Sequence, residues 1–201
     1  MVEDTLPELV ELTDAKAIRA IAHPARLVVI DALYDRNGAL TATQAAELAG
    51  ISPSAMSYHL RALERYGIVR RAEPSDDGRE RPWVRAGHDL RIRPPAPASS
   101  MAVTMATNAV LATALDVVRE RMLASLERGA GDAALPLDAA TTFSTTAVLV
   151  TVDEAKELFA GLRELIEPLR AEHRRDAPEG ADRLTVLIGS APDPDPTTKR
   201  S

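Results

Sequence analysis

The chain has 201 residues, 45% of them hydrophobic and 27% charged, an ordinary globular balance that allows one large domain or two small ones. It contains no cysteine, which excludes disulfides, thiolate metal sites and thiol nucleophiles or redox sensors. The formal net charge of −6 is unevenly spread: residues 52–93 hold nine arginines against six acids, while the acidity lies mostly in the C-terminal half. Residues 1–12 are acidic and show no basic segment followed by an apolar run, so no signal peptide is expected. Apolar runs such as 147–150 are short against a bilayer span, and the expected location is the cytoplasm, with no membrane partner.

In chain order, Thr13 or Asp14 can cap a first helix that runs to about Ala22. His23-Pro24 breaks it, and Pro24 suits the first turn of a second helix, which carries Leu27, Ile30, Ala32 and Leu33 and stops at Asn37-Gly38. A short extended piece, 39–41, leads to a third helix over 43–49, and Gly50-Ile51 makes a tight turn. Ser52-Pro53 supplies an N-cap with proline at N1 for a fourth helix ending at Tyr66, with Gly67 at C′. Residues 68–73 and 81–85 read as strands joined by a hairpin at 74–78 that contains Asp77-Gly78. After the stiff break Pro94-Pro95-Ala96-Pro97 comes a long helix over about 98–127, closed by Gly129-Ala130-Gly131. Residues 143–152 then read as a strand, 153–175 as a helix with Leu158, Leu162, Leu165, Ile166 and Leu169 on its inner face, and 183–189 as a last strand. The Pro-Asp repeats of 191–201 read as a disordered tail.

The informative stretch is QAAELAGISPSAMSYHLRAL, 44–63. Small Ala45 and Ala46 allow the next helix to approach closely. Met56, Leu60 and Leu63 fall at i, i+4 and i+7 and form one buried stripe. That stripe turns Ser54, Ala55, Ser57, Tyr58, Arg61 and Arg65 outward, with Ser52 at the cap. Hydroxyls at the start of a helix, an amphipathic tyrosine and then arginines suit a helix whose N-terminus enters a major groove. The hydroxyls and Tyr58 suit base edges or phosphates, and Arg61 and Arg65 suit phosphates. Arg79 and Arg81 flank the hairpin turn, within reach of a neighbouring phosphate or minor groove. Each feature alone is common, and the ordered set is specific.

HPARLVVIDAL (23–33), SPSAMSYHLRALERYGIVRR (52–71) and GRERPWVR (78–85) resemble the ArsR-like winged helix-turn-helix regulators, over roughly residues 13–93. The resemblance implies that the helix at 52–66 reads double-stranded operator DNA, that the hairpin at 73–85 is the wing, and that the protein is a homodimer. Metal-sensing members use cysteines on the recognition helix, or histidines and acids near the chain ends. No such cluster is visible here, so neither a metal nor another cofactor is expected.

The remaining residues have plainer readings. His59 beside the apolar stripe reads as a packing histidine, His23 as a helix-junction residue and Trp83 as a core anchor of the wing; His88 and His173 are isolated. In the long helix, Met101, Met105, Asn108, Leu111, Leu115, Val118 and Met122 recur every three or four residues, as they would on a dimer seam or on a helix packed within its own domain. Residues 140–189 offer no catalytic pair and no phosphate-binding loop, and no enzymatic activity is expected. They suit either a domain that senses a small-molecule effector and stabilises a dimer or a purely structural one. The fold expected is α+β: a winged helix-turn-helix over 13–93, then a dimerisation and sensing region over 98–190. The function expected is operator-specific repression by a homodimer. The alternative is a winged-helix module that binds protein and no DNA.

Overall fold

The computed structural model describes residues 6–35, 38–72, 81–92, 100–130, 135–175, 178–181 and 184–190. The architecture is α+β. Strand β1 (Leu9–Leu12) precedes helices α1 (Ala15–Ile21), α2 (Pro24–Asp35), α3 (Ala42–Ala49) and α4 (Pro53–Arg65), then strands β2 (Val69–Arg71), β3 (Trp83–Arg85) and β4 (Asp89–Ile92). A 29-residue helix α5 (Met101–Gly129), a 3-10 turn (Pro136–Ala140) and helix α6 (Val152–Arg175) follow among the described residues.

Local chemistry fixes the helix ends where the sequence placed them. Asp14 caps α1, its carboxylate accepting from the N–H groups of Lys16 (3.1 Å) and Ala17 (3.0 Å). Thr41 and Gln44 form a reciprocal capping box on α3. Gly50 ends that helix at φ +65°, a left-handed conformation that costs any side chain but glycine's strain. Ser52 caps α4 with Pro53 in its first turn, and Gly67 follows its C-cap.

The core lies among α1 to α4 and the wing strands. Ile18, Val29, Leu33, Met56, Leu60, Leu63, Ile68 and Trp83 are all fully buried. The Tyr34 hydroxyl donates to the Ile68 carbonyl at 2.6 Å, and burial pushes the phenol up to about 12. β2 and β3 are antiparallel, with Arg71 opposite Trp83. Leu40 adds a single antiparallel bridge to this small sheet by exchanging both backbone hydrogen bonds with Trp83. Trp83 is thus the anchor its sequence context suggested.

The parallel pair β1–β4 was not legible in the sequence. Leu9 to Leu12 align with Asp89 to Ile92, so the strand that enters the domain lies beside the strand that leaves it. Gly87 makes this possible. A Cβ there would sit 2.7 Å from Val10 Cγ2 and 3.0 Å from the Pro7 carbonyl oxygen.

Beyond the wing the sequence reading needs correction. Among the described residues, 143–151 and 184–189 run without ladder partners and form no strand, and Val152 already belongs to α6. Thr- and Val-rich composition favours extended backbone, but a strand exists only when a neighbour takes up its N–H and C=O groups. The expected inner face of α6 is also corrected, since Leu158, Leu165 and Leu169 are exposed and Leu162 and Ile166 only half-buried. In α5 the apolar character is longer than the short runs suggested. Among the described residues it is the one helix long and apolar enough to cross a membrane by length and composition. Its buried side, Val103, Ala106 and Val110, belongs to the same core as Ile18 and Ile21 of α1. The wing tip, residues 93–99 and the tail from 191 lie outside the described residues.

A polar knot ends α5. The Asp138 carboxylate accepts from Ser125 Oγ (2.6 Å), from Arg128 through Nη2 (2.9 Å) and Nε (3.2 Å), and from the Leu135 N–H (2.8 Å). These donors, Arg128 first, hold the carboxyl down to about 2. A depressed carboxylate stabilises the fold above its unfolded value, and that contribution is lost as pH falls through the folded value. Asp138→Asn should therefore lower the melting temperature at neutral pH, and the gap to wild type should close as the pH is taken from about 4 towards about 2. Gly87→Ala should destabilise the domain by about 1–3 kcal/mol in urea denaturation, because β1 must move off β4 to admit the methyl group.

Candidate nucleic-acid interface

Helix α4 presents two opposite faces. Met56, Leu60 and Leu63 are fully buried, and on the other side Ser54, Tyr58, Arg61 and Arg65 are exposed, Tyr58 by 63%. Their spacing of four, three and four residues keeps them on one stripe along the helix. Ala55 and Ser57 flank that stripe and are half-buried. Ser52 is committed to the helix itself: its Oγ accepts from the Ala55 N–H at 3.3 Å and shares a hydrogen bond with Ser54 Oγ at 3.1 Å. Its hydroxyl thus fixes the pose of the first turn, and its reach toward a ligand is limited. The N-terminal turn of α4 is the positive end of the helix dipole, which favours a phosphate nearby.

Gly50 and Ile51 set the angle between α3 and α4. The Ile51 N–H bonds to the Ala46 carbonyl at 3.1 Å. Ala45 and Ala46, both buried, keep the two helices close, as a helix-turn-helix needs.

Of the two wing arginines, Arg79 lies outside the described residues. Arg81 is exposed at the base of the hairpin, where its Nε donates to the Ala72 carbonyl at 2.8 Å. Arg71 answers it across the sheet, donating through Nη1 to the Arg81 carbonyl and stacking its guanidinium 3.9 Å above the Trp83 ring. Arg81 therefore braces the wing. Arg71 was missed at the sequence level, although a cationic residue directly across a strand pair from a tryptophan is a readable signal.

Behind the outward face, the His59 imidazole is half-buried and accepts at Nδ1 from Arg26 Nε (3.1 Å), with the His23 ring against it at 4.3 Å between centroids. The packing role read for His59 and the junction role read for His23 are what these contacts serve. Among the described residues, groups of three or more His, Asp and Glu side chains placed to hold a metal ion are absent.

Two helices at a glycine turn, the second buried on one stripe and basic on the other, followed by a braced hairpin, define a winged helix-turn-helix. Residues 21–72 match the family described as a helix-turn-helix domain. A stretch of 55 residues is 42% identical to the HTH-type transcriptional regulator NmtR of Mycobacterium tuberculosis (strain ATCC 25618 / H37Rv), covering 27% of this chain and 44% of that protein. The chain thus spans less than half the length of the relative it matches. Over residues 21–72 the N-terminal segment is similar to the helix-turn-helix domains of transcriptional regulators.

Arg61→Ala and Arg65→Ala should each weaken binding to any duplex and lower the salt slope by about one unit. Tyr58→Ala should instead reorder preference among duplex sequences. Anisotropy titrations over a salt series check both, and wild-type binding by all three folded variants would remove α4 from the interface.

Proposed function

We propose that the protein is a cytoplasmic transcriptional regulator that binds operator DNA through α4 as a homodimer and represses a promoter. The observation that carries this reading is the exposed stripe Ser54, Tyr58, Arg61 and Arg65 on a helix locked from behind by Met56, Leu60 and Leu63. Specific recognition needs a rigid element that offers hydroxyl and aromatic groups to bases and guanidinium groups to phosphates, and α4 has that composition. The net acidity outside this region suits binding to chosen sites better than coating DNA everywhere.

Dimerisation is supported by α5. Of the seam residues read from the sequence, Met101 (74%), Met105 (56%), Leu111 (53%) and Leu115 (48%) are exposed, Asn108 lies beside them on the exposed side, and Val118 and Met122 are half-buried. An apolar stripe left open on a helix that is packed on its other side suits the matching helix of a second copy. A bilayer fits α5 poorly, because Val103, Ala106 and Val110 join the core with α1, and Arg121 pairs with Asp31 of α2 at 3.6 Å. The exposed apolar side chains after residue 141, such as Phe143 and Leu149, fit a region that closes only in an assembly or around an effector.

A two-fold dimer presents its recognition helices to successive groove faces, so the operator should be an inverted repeat with half-sites centred about 10 base pairs apart or a small multiple of that. Leu115→Glu should give monomers in analytical ultracentrifugation and cost operator affinity about a thousandfold or more, because one half-site is lost. The winged helix itself should stay folded. A dimeric, fully binding Leu115→Glu would move the seam off this stripe of α5; Ile18 and Ile21 of α1 offer no alternative, since both are buried in the core. Footprinting upstream of the protein's own gene tests the repressor assignment, and a duplex affinity that does not fall as salt rises would favour a protein-binding module instead.

A further inference from the structure

The α1–α2 junction meets the inner side of α4 through two imidazoles and a guanidinium. Arg26 Nε donates to His59 Nδ1 at 3.1 Å, while its Nη1 donates to the Ala20 carbonyl at 2.7 Å. His23 Nδ1 accepts from the Ala25 N–H at 3.2 Å, its ring lies against that of His59, and Tyr58 turns an edge to His59 at 5.7 Å. The donors are a guanidinium and a backbone N–H, neither of which can accept. Each imidazole is therefore neutral, with its single proton on Nε2. Protonation puts an N–H at Nδ1 against another N–H, and a second positive charge beside Arg26.

The groups that act on the pair are Arg26 from α2, each ring on the other, the Ala20 carbonyl from α1 and the Tyr58 ring from α4. No carboxylate is among the groups that shift either ring. Both imidazoles are held below their ordinary value, first by desolvation, then by Arg26 for His23 and by His23 and Arg26 for His59. As pH falls below about 6.5 the unfolded chain takes the proton first, so what the junction contributes is whole above that pH and is lost below it.

We propose that this junction is a proton-sensitive brace on the recognition helix, so that DNA affinity falls as the medium is acidified. Arg26 and His59 are positioning residues: they tie α4 to the α1–α2 turn and touch no DNA. The proposal rests on the DNA-binding reading above. Its sign is diagnostic, because an added positive charge on a DNA-binding domain by itself strengthens phosphate contacts. Weakening therefore reports lost positioning.

The test is anisotropy of a labelled duplex from the protein's own promoter at fixed salt, for wild type and for His23→Asn/His59→Asn. An asparagine amide oxygen lies near the place of Nδ1, accepts the same hydrogen bonds and does not titrate. Wild type should bind at least about threefold more weakly at about pH 5.5 than at about pH 7.5, whereas the double variant should keep the neutral-pH affinity within about twofold and lose the pH dependence. If the double variant loses its helical circular dichroism, His59→Asn alone carries the comparison. A wild-type affinity that is flat or rises on acidification overturns the proposal, as does an unchanged pH dependence in the variant, which would assign the effect to another group. Binding that is absent at both pH values overturns the DNA-binding reading itself.

Discussion

The structure depends on how one helix is seated. α4 buries Met56, Leu60 and Leu63 completely, and each such side chain removed from water is worth about 1.5–3 kcal/mol. With that face fixed, the helix cannot rotate without exposing the stripe, so the azimuth of Ser54, Tyr58, Arg61 and Arg65 follows from the core. The seat is made by residues distant in sequence: Ile18 from α1, Val29 and Leu33 from α2, Ala45 and Ala46 from α3. A surface meant for recognition is in this way positioned by packing, while its own outward groups remain free to vary.

The wing is held by a different kind of contact. Trp83 fills the core under the hairpin, Leu40 pairs with its backbone, and Arg71 covers its ring. A hairpin is marginal alone, and here a tryptophan and two crossing arginine hydrogen bonds hold its base. The parallel β1–β4 pair then closes the domain by joining its first segment to its last. The close approach at Gly87 is the local condition for that closure.

The C-terminal half is built on weaker terms. α5 shares its first turns with the core through Val103, Ala106 and Val110, and the Asp138 knot fastens the chain at its far end. Between and beyond these anchors, apolar side chains outnumber the surfaces available to cover them. Arg121 is a linking element here, since it reaches Asp31 of α2 at 3.6 Å and Thr185 Oγ1 at 2.6 Å. One guanidinium thus connects the winged helix, the long helix and the last extended segment.

From the sequence alone came the six helices and two wing strands that have strong local signals. Caps at Asp14 and Ser52, glycines at 50 and 67, and the 3.6-residue spacing of Met56, Leu60 and Leu63 act within a few residues of where they stand, whereas the Thr41–Gln44 box on α3 was not read. For that reason these caps, glycines and spacings survive in a one-dimensional reading, and so did the exposure of Ser54, Tyr58, Arg61 and Arg65, though not of Ala55 and Ser57. What needs two distant segments did not. β1 is four residues with no alternation, and only its pairing with Asp89–Ile92 makes it a strand. Residues 143–152 have the composition of a strand and lack the neighbour, so composition misled in the opposite direction. The brace of Arg26 and His59, 33 residues apart, was likewise invisible until the α1–α2 turn was folded against α4. Local capping and periodicity are written in the order of residues, whereas pairing and burial are decided by what the chain brings together.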